Sequence, residues 1–268
     1  MLKSIHEPLR IRSLPEIVET RMRELILEGN LVPGERLPTE RELCKQFGVS
    51  MVTAREALKG LQALGLIEKR KGRRGGIFVA QAKSDSLKIP LYSFLRGQSC
   101  SSDHLTQLRL IIEPAVVKIA ASCSGEETIK ALEENVGWCE CTIAEVGPSL
   151  TEEQFFDIEK RNVEFHRLMA EATKNPALIL TVDYVMDFLF ELKHRILTAD
   201  FNLTLGTINE HRNILSCVKD RDIDGAEKRM IVHLERLQQC IGAREKALGP
   251  PQDRTPWHAT IFRRDKEA

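Results

Sequence analysis

At 268 residues the chain is long enough for two domains, each with its own core. Hydrophobic residues make up 42% and charged residues 29%, an ordinary globular composition that excludes fibrous and low-complexity classes. There is no run of about 18 apolar residues, so neither a spanning helix nor a membrane partner is expected. The opening stretch Met1–Ser13 has no apolar core of secretory length, and a cytoplasmic location is expected. The formal charge is zero, but its distribution is uneven. Residues 1–80 hold 15 Lys and Arg against 10 Asp and Glu, and residues 81–268 hold 24 against 29. A basic front and an acidic back point to a nucleic-acid-binding part at the N-terminus. The seven cysteines are odd in number and scattered, which is not a disulfide framework. Cys139 and Cys141 form a C-x-C pair, read as free thiols rather than a metal or redox motif.

The first predicted helix opens at Ser13-Leu14-Pro15-Glu16, where Ser13 caps, Pro15 fits the first turn and Glu16 completes a capping box. Val18, Met22 and Leu25 recur at helical spacing, with Ile17 and Ile26 widening the stripe. The helix should stop near Gly29-Asn30, and residues 31–35 read as a turn. A second capping box at Thr39 and Glu42 starts a short helix that carries Leu43 and Phe47 inward and ends at Gly48. Ser50 then caps a third helix, with Ala54, Leu58 and Leu61 on its inner face, running to about Leu64-Gly65. Two short helices joined by a tight glycine turn make a helix-turn-helix. On the opposite face of the third helix, Ser50, Thr53 and Arg55 lie near its start, where a recognition helix contacts phosphates and base edges. After Gly65, two short apolar runs flank a glycine-rich turn and read as a β-hairpin. Five of the six residues from Lys69 to Arg74 are basic. Alone, such a tip is as consistent with a solvated turn. Beside a helix-turn-helix it reads as a wing that enters a groove.

These residues resemble the GntR family of bacterial regulators. The likeness is carried without gaps by Leu31-Val32-Pro33-Gly34-Glu35-Arg36-Leu37-Pro38-Thr39-Glu40-Arg41-Glu42-Leu43, Gly48-Val49-Ser50, Ala54-Arg55-Glu56-Ala57-Leu58, Leu64-Gly65-Leu66-Ile67 and the wing. The resemblance implies DNA contacts by Arg41, Ser50, Thr53, Arg55 and the wing residues Lys71, Gly72, Arg73 and Arg74. The family usually places Arg directly after the capping serine. Here that position is Met51, so the operator need not follow the usual preference.

Residues 81–103 read as a connection with one short helix at Leu91–Leu95. Helices are then predicted over 104–122, 125–145, 151–173, 176–198, 205–219 and 223–247, with no alternating strand pattern. The expected fold is therefore mainly α. Residues 1–80 form a winged helix-turn-helix, residues 104–248 an antiparallel helical bundle, and residues 249–268 a disordered tail. Within the bundle, His166 lies one turn after Asn162, and His211 and His233 follow on the last two helices. Residues on three helices can converge inside a bundle, and neutral imidazoles are common metal ligands. Spacing alone favours ordinary satisfied histidines.

The second half resembles the ligand-binding domain of the FadR subfamily. Leu108-Arg109, Ile112-Glu113-Pro114, Ala120-Ala121, Asn162 with His166, Ala172 with Asn175-Pro176, Glu210-His211, and Asp224 and Ala226 with His233 carry the likeness. It implies one divalent metal per chain, Zn²⁺, Ni²⁺ or a similar ion, held by the residues at Asn162, His166, His211 and His233. It also implies that Arg109 pairs with the carboxylate of a small effector. The family's usual Asp is Asn162 here, which removes a negative charge from the ligand set. The expected protein is a homodimeric regulator, most simply a repressor, on a palindromic double-stranded operator. A metal-free pocket for an acyl or sugar-acid ligand is the alternative. A three-histidine metalloenzyme is a weaker reading, since no HExxH and no Ser or Cys nucleophile motif is present.

Overall fold

The structure is a computed structural model that describes residues 13–72, 75–81, 90–91, 93–95, 97–98 and 100–248, apart from the side chains of Arg195, Glu245 and Leu248. The chain divides into two compact units, Met1–Leu91 and Tyr92–Ala268.

In the first unit, α1 (Leu14–Leu27) begins where Glu16 Oε2 accepts from the Ser13 N–H at 3.0 Å. Val18 and Met22 are buried, whereas Ile17 is 49% exposed and does not widen the stripe as expected. Helix α2 (Glu40–Phe47) is closed at its start by the reciprocal pair Thr39 and Glu42. The Thr39 N–H donates to Glu42 Oε2 at 2.8 Å, and the Glu42 N–H donates to Thr39 Oγ1 at 3.3 Å. A cap of this kind contributes about 1 kcal/mol. Gly48 ends α2 at φ 63°, a left-handed conformation that glycine adopts without steric cost. The turn is therefore tight, and α3 (Met51–Ala63) starts at once, with the Thr53 N–H donating to Ser50 Oγ at 3.1 Å. Strands β1 (Ile67–Arg70) and β2 (Gly76–Val79) pair antiparallel, Ile67 opposite Val79 and Arg70 opposite Gly76. Leu43, Leu58, Leu61 and Ile67 join Val18 and Met22 in one core. Each fully buried side chain of this size contributes roughly 1.5–3 kcal/mol.

Among its described residues the second unit consists of helices and short connections, without strands: α4 (Ser102–Cys123), α5 (Glu126–Val146), α6 (Glu152–Ala172), α7 (Pro176–Ile196), α8 (Phe201–Lys219) and α9 (Ile223–Leu248), with one 3₁₀ turn at Gly147–Ser149. The short helix expected before it is seen at residues 90–91 and 93–95. Helix α8 starts four residues earlier than the predicted 205. Asp200 is its cap, accepting from the Leu203 N–H at 3.0 Å. Helix α4 runs unbroken through Pro114 and packs along α9, α6 and α7, while α8 packs on α9 and α5. Phe155, Phe165, Met169, Val117 and Leu234 anchor the core. The expected tail at 249–268 lies outside the described residues.

Candidate functional site

The candidate reading face of the first unit is built on α2, α3 and the hairpin. Arg41, Ser50, Arg55, Lys71 and Gly72 are exposed, and Thr53 is half-buried. Arg73 and Arg74 lie outside the described residues. Ser50 does double duty at the α3 terminus: its hydroxyl caps the helix and lies 2.9 Å from the Thr53 hydroxyl. Arg55 donates from Nε at 3.1 Å and Nη2 at 3.0 Å to Glu40 Oε2, and Lys69 Nζ reaches Glu40 Oε1 at 3.3 Å. Arg55 beside it draws the Glu40 carboxyl below its usual range, partly opposed by burial. Glu40 thus joins α2, α3 and β1, a three-way link between residues distant in sequence that local patterns did not reveal. Exposed pairs of this kind are worth about 0–1 kcal/mol, so a phosphate or guanine edge can displace the carboxylate. The wing is held from its base: Arg36 Nη2 donates to the Gly75 carbonyl at 3.0 Å, and the Arg70 guanidinium lies 4.2 Å from the Phe78 ring centroid. Gly72 has φ +98°, and a Cβ at Gly75 would lie 2.5 Å from the Arg70 carbonyl oxygen. Met51 is 41% exposed, its sulfur 3.3 Å from Cys44 Sγ.

In the second unit the three histidines meet. One ring nitrogen from each of His166 on α6, His211 on α8 and His233 on α9 lies within 4.8 Å of the others. His211 Nε2 and His233 Nε2 are 3.3 Å apart. Two nitrogens bonded tetrahedrally to one ion at about 2.0–2.1 Å stand roughly 3.3 Å from each other, so this pair already has ligand spacing. All three rings are buried. Burial pushes the imidazoles below their ordinary range, His211 and His233 furthest, with the neighbouring histidines adding to the effect at both. At His166 the nearby Glu113 opposes it. Neutral rings present lone pairs, the form that binds cations. The His233 Nδ1–H donates to Glu210 Oε2 at 2.7 Å, which leaves the Nε2 lone pair facing the cluster.

The surroundings are charged in matched pairs. Arg109 on α4 is ion-paired with Glu113 one turn on, and its Nη2 lies 3.3 Å from His166 Nε2. Glu113 Oε2 is 2.5 Å from His166 Nδ1. Burial alone would raise the Glu113 carboxyl, but Arg109 and His166 together hold it well below the usual carboxylate range. On the other side, Lys193 Nζ donates to Glu159 Oε2 at 2.8 Å, and both side chains are buried. Glu159 Oε1 accepts from Asn162 Nδ2 at 2.8 Å. The donor side of the Asn162 amide is therefore used, while its buried Oδ1 has no hydrogen-bond partner. Asn162, the three histidines, Arg109 and Lys193 line one tightly closed pocket. Three neutral imidazoles and an orphaned carbonyl oxygen are a donor set that suits a borderline divalent cation.

The structure thus brings together all five residues singled out in this half of the sequence: Arg109, Asn162, His166, His211 and His233. Sequence reasoning missed Glu159 and Lys193. The i, i+3 spacing of Glu159 and Asn162 was an available signal, but Lys193 lies 34 residues further on and gave none. The C-x-C pair is divided, with Cys139 buried and Cys141 exposed, and all seven cysteines are free.

A winged helix-turn-helix ahead of a helical bundle with a buried polar centre defines a DNA-binding transcription regulator with an effector domain. Residues 14–79 match the family described as bacterial regulatory proteins, gntR family, and residues 104–236 match the FCD domain. The HTH-type transcriptional repressor NanR of Klebsiella aerogenes is 30% identical over 90% of this chain and 89% of its own. NanR of Enterobacter sp. is 28% identical over 86% of each. A Streptococcus agalactiae GntR structure shares the fold, with a TM-score of 0.61 and 23% identity over 84% of this chain and 99% of its own. The chain belongs to the GntR family, in the FadR-like subfamily with an FCD domain. It is a regulator and not an enzyme, which removes the metalloenzyme reading.

Proposed function

We propose that the chain is a repressor whose operator affinity is set by a small carboxylate held beside a divalent metal in the bundle. Residues 1–80 serve as the DNA-binding head, residues 81–103 as the connection and residues 104–248 as the effector and dimerisation domain. Arg41, Ser50, Thr53, Arg55 and the wing from Lys71 to Arg74 contact the duplex. The observation that carries the effector reading is the pocket itself, in which three neutral imidazoles and the unpartnered Asn162 Oδ1 share a wall with Arg109. Arg109 cancels Glu113 and Lys193 cancels Glu159, so a Zn²⁺ or Ni²⁺ would leave the pocket with two uncompensated positive charges. An anion completes such a site, and a guanidinium matches a carboxylate in two-point geometry. Repression follows the names of the relatives.

A homodimer on a palindromic operator completes the reading, in the cytoplasm where such an operator lies. Leu108, Ile111, Ala115 and Ile119 form an exposed apolar stripe on α4, with Ile111 75% exposed, and a second copy would cover it. A thermal-shift screen of small carboxylates, with and without Zn²⁺ or Ni²⁺, tests the effector site. The expected result is a rise in Tm with metal, and a further concentration-dependent rise with a carboxylate only when metal is present. Equal stabilisation in chelator-treated protein would favour the metal-free pocket instead.

A further inference from the structure

The family's acidic ligand position is occupied here by an amide, and an amide can present either its oxygen or its NH₂ to a cation. Only the oxygen can act as a ligand. Which side faces the histidines depends on what binds the other side. Here Glu159 Oε1 takes the Asn162 Nδ2 donor at 2.8 Å, and Lys193 Nζ takes Glu159 Oε2 at 2.8 Å. The side chains of Glu159 and Lys193 are each 5% exposed, so neither relaxes into water. The three residues form a chain from α7 through two positions of α6, and it ends on the unpartnered Asn162 Oδ1.

We propose that Glu159 is a positioning residue, clamped by Lys193, whose acceptor oxygen fixes the Asn162 amide with its carbonyl oxygen toward the three histidines. The proposal rests on the metal reading above. The relay accounts for three features together. A carboxylate is buried where an apolar residue would pack, an ammonium is buried beside it, and a carbonyl oxygen is left without a donor in the wall of a histidine pocket. A buried unsatisfied oxygen ordinarily costs about 1–3 kcal/mol, so its retention calls for a partner that arrives later.

The donor and acceptor inventory makes the inference testable. In Glu159→Gln the side chain keeps one acceptor, which Lys193 claims, and turns its NH₂ toward Asn162. Asn162 must then present its oxygen to Gln and its NH₂ to the histidines, where it cannot hold an ion. Adding Asn162→Asp restores the match. One Asp oxygen accepts from the Gln NH₂ and the other faces the cluster. The experiment is Zn²⁺ and Ni²⁺ affinity of the full-length chain, by competition with a chromophoric chelator, for wild type, E159Q, E159Q/N162D and His211→Ala. Thermal melting establishes that each is folded.

The expected result is tight binding by wild type, a loss of roughly 10–100-fold in E159Q, the range typical of residues that orient metal ligands, and recovery in E159Q/N162D. If E159Q does not fold, N162D alone is measured beside the double variant: weaker binding by N162D, whose second carboxylate oxygen would face the Glu159 carboxylate, than by E159Q/N162D supports the relay, and equal binding by the two overturns it. E159Q binding as tightly as wild type, while His211→Ala loses the metal, overturns the role of Glu159 and leaves the metal site standing. No binding by wild type overturns both.

Discussion

At the residue scale, the head depends on a few side chains whose roles differ in kind. Ser50 and Thr39 are local: each closes the start of the helix that follows it, and each could be read from neighbours within three residues. Arg55 is not local, because its partner Glu40 is 15 positions away on another helix. The sequence therefore showed that Arg55 lies on the outer face of α3, but not that a carboxylate shares it. That exposed pairing ties the guanidinium to α2 at little cost to release. Arg55→Ala is expected to lower affinity for a duplex selected by the wild-type chain from a random-sequence pool by about 5- to 150-fold, matching the roughly 1–3 kcal/mol of one two-point base contact. Fluorescence anisotropy on that duplex measures it, and unchanged affinity would remove Arg55 from the reading face. Beside it, Met51 offers an apolar tip where the family has a cation. Apolar groups at a recognition helix contact thymine methyls, so the selected duplex should differ from the family's usual operators at the position Met51 faces.

At the element scale, capping and turn chemistry account for most of the boundaries. Helices α1 to α3 begin at the predicted Ser and Thr caps, and α2 ends at its left-handed glycine. The start of α8 lies four residues before the expected 205, although Asp200 is a good cap residue and Phe201, Leu205 and Ile208 recur at helical spacing behind it, a signal present in the sequence. The wing shows the same division. Its glycines announced a turn, but the reason Gly75 cannot carry a side chain is steric. A Cβ there would lie 2.5 Å from the Arg70 carbonyl and 2.8 Å from the Gly72 carbonyl, both backbone atoms that cannot swing aside. Gly75→Ala should therefore displace the basic tip while leaving the bundle alone. The expected outcome is weaker DNA binding, with a slope of log K against log salt reduced by about 1 for each Lys or Arg that no longer reaches a phosphate, and an unchanged melt of the second unit. An unaltered salt slope would show that the wing does not touch the backbone.

At the scale of the whole molecule, two separately built units must act as one device. The head was legible almost completely, because capping boxes, a glycine turn and a basic hairpin are short-range signals. The bundle was legible as helices but not as a site. Spacings of 45 residues from His166 to His211 and 22 from there to His233 specify no geometry, and only the family resemblance singled them out. The paired charges around them, Arg109 with Glu113 and Lys193 with Glu159, are features of packing that no local pattern carries. If metal and carboxylate bind in that pocket and the head binds DNA, the two events are linked by a coupling free energy, typically about 1–3 kcal/mol, and each ligand weakens the other by the same factor. The most direct measurement is the affinity of the full-length chain for its selected duplex, titrated with the carboxylate found by thermal shift, with and without Zn²⁺, in wild type and His211→Ala. The account predicts a loss of roughly 5- to 150-fold in duplex affinity only for metal-loaded wild type. An equal response in His211→Ala, or no response in metal-loaded wild type, would contradict it.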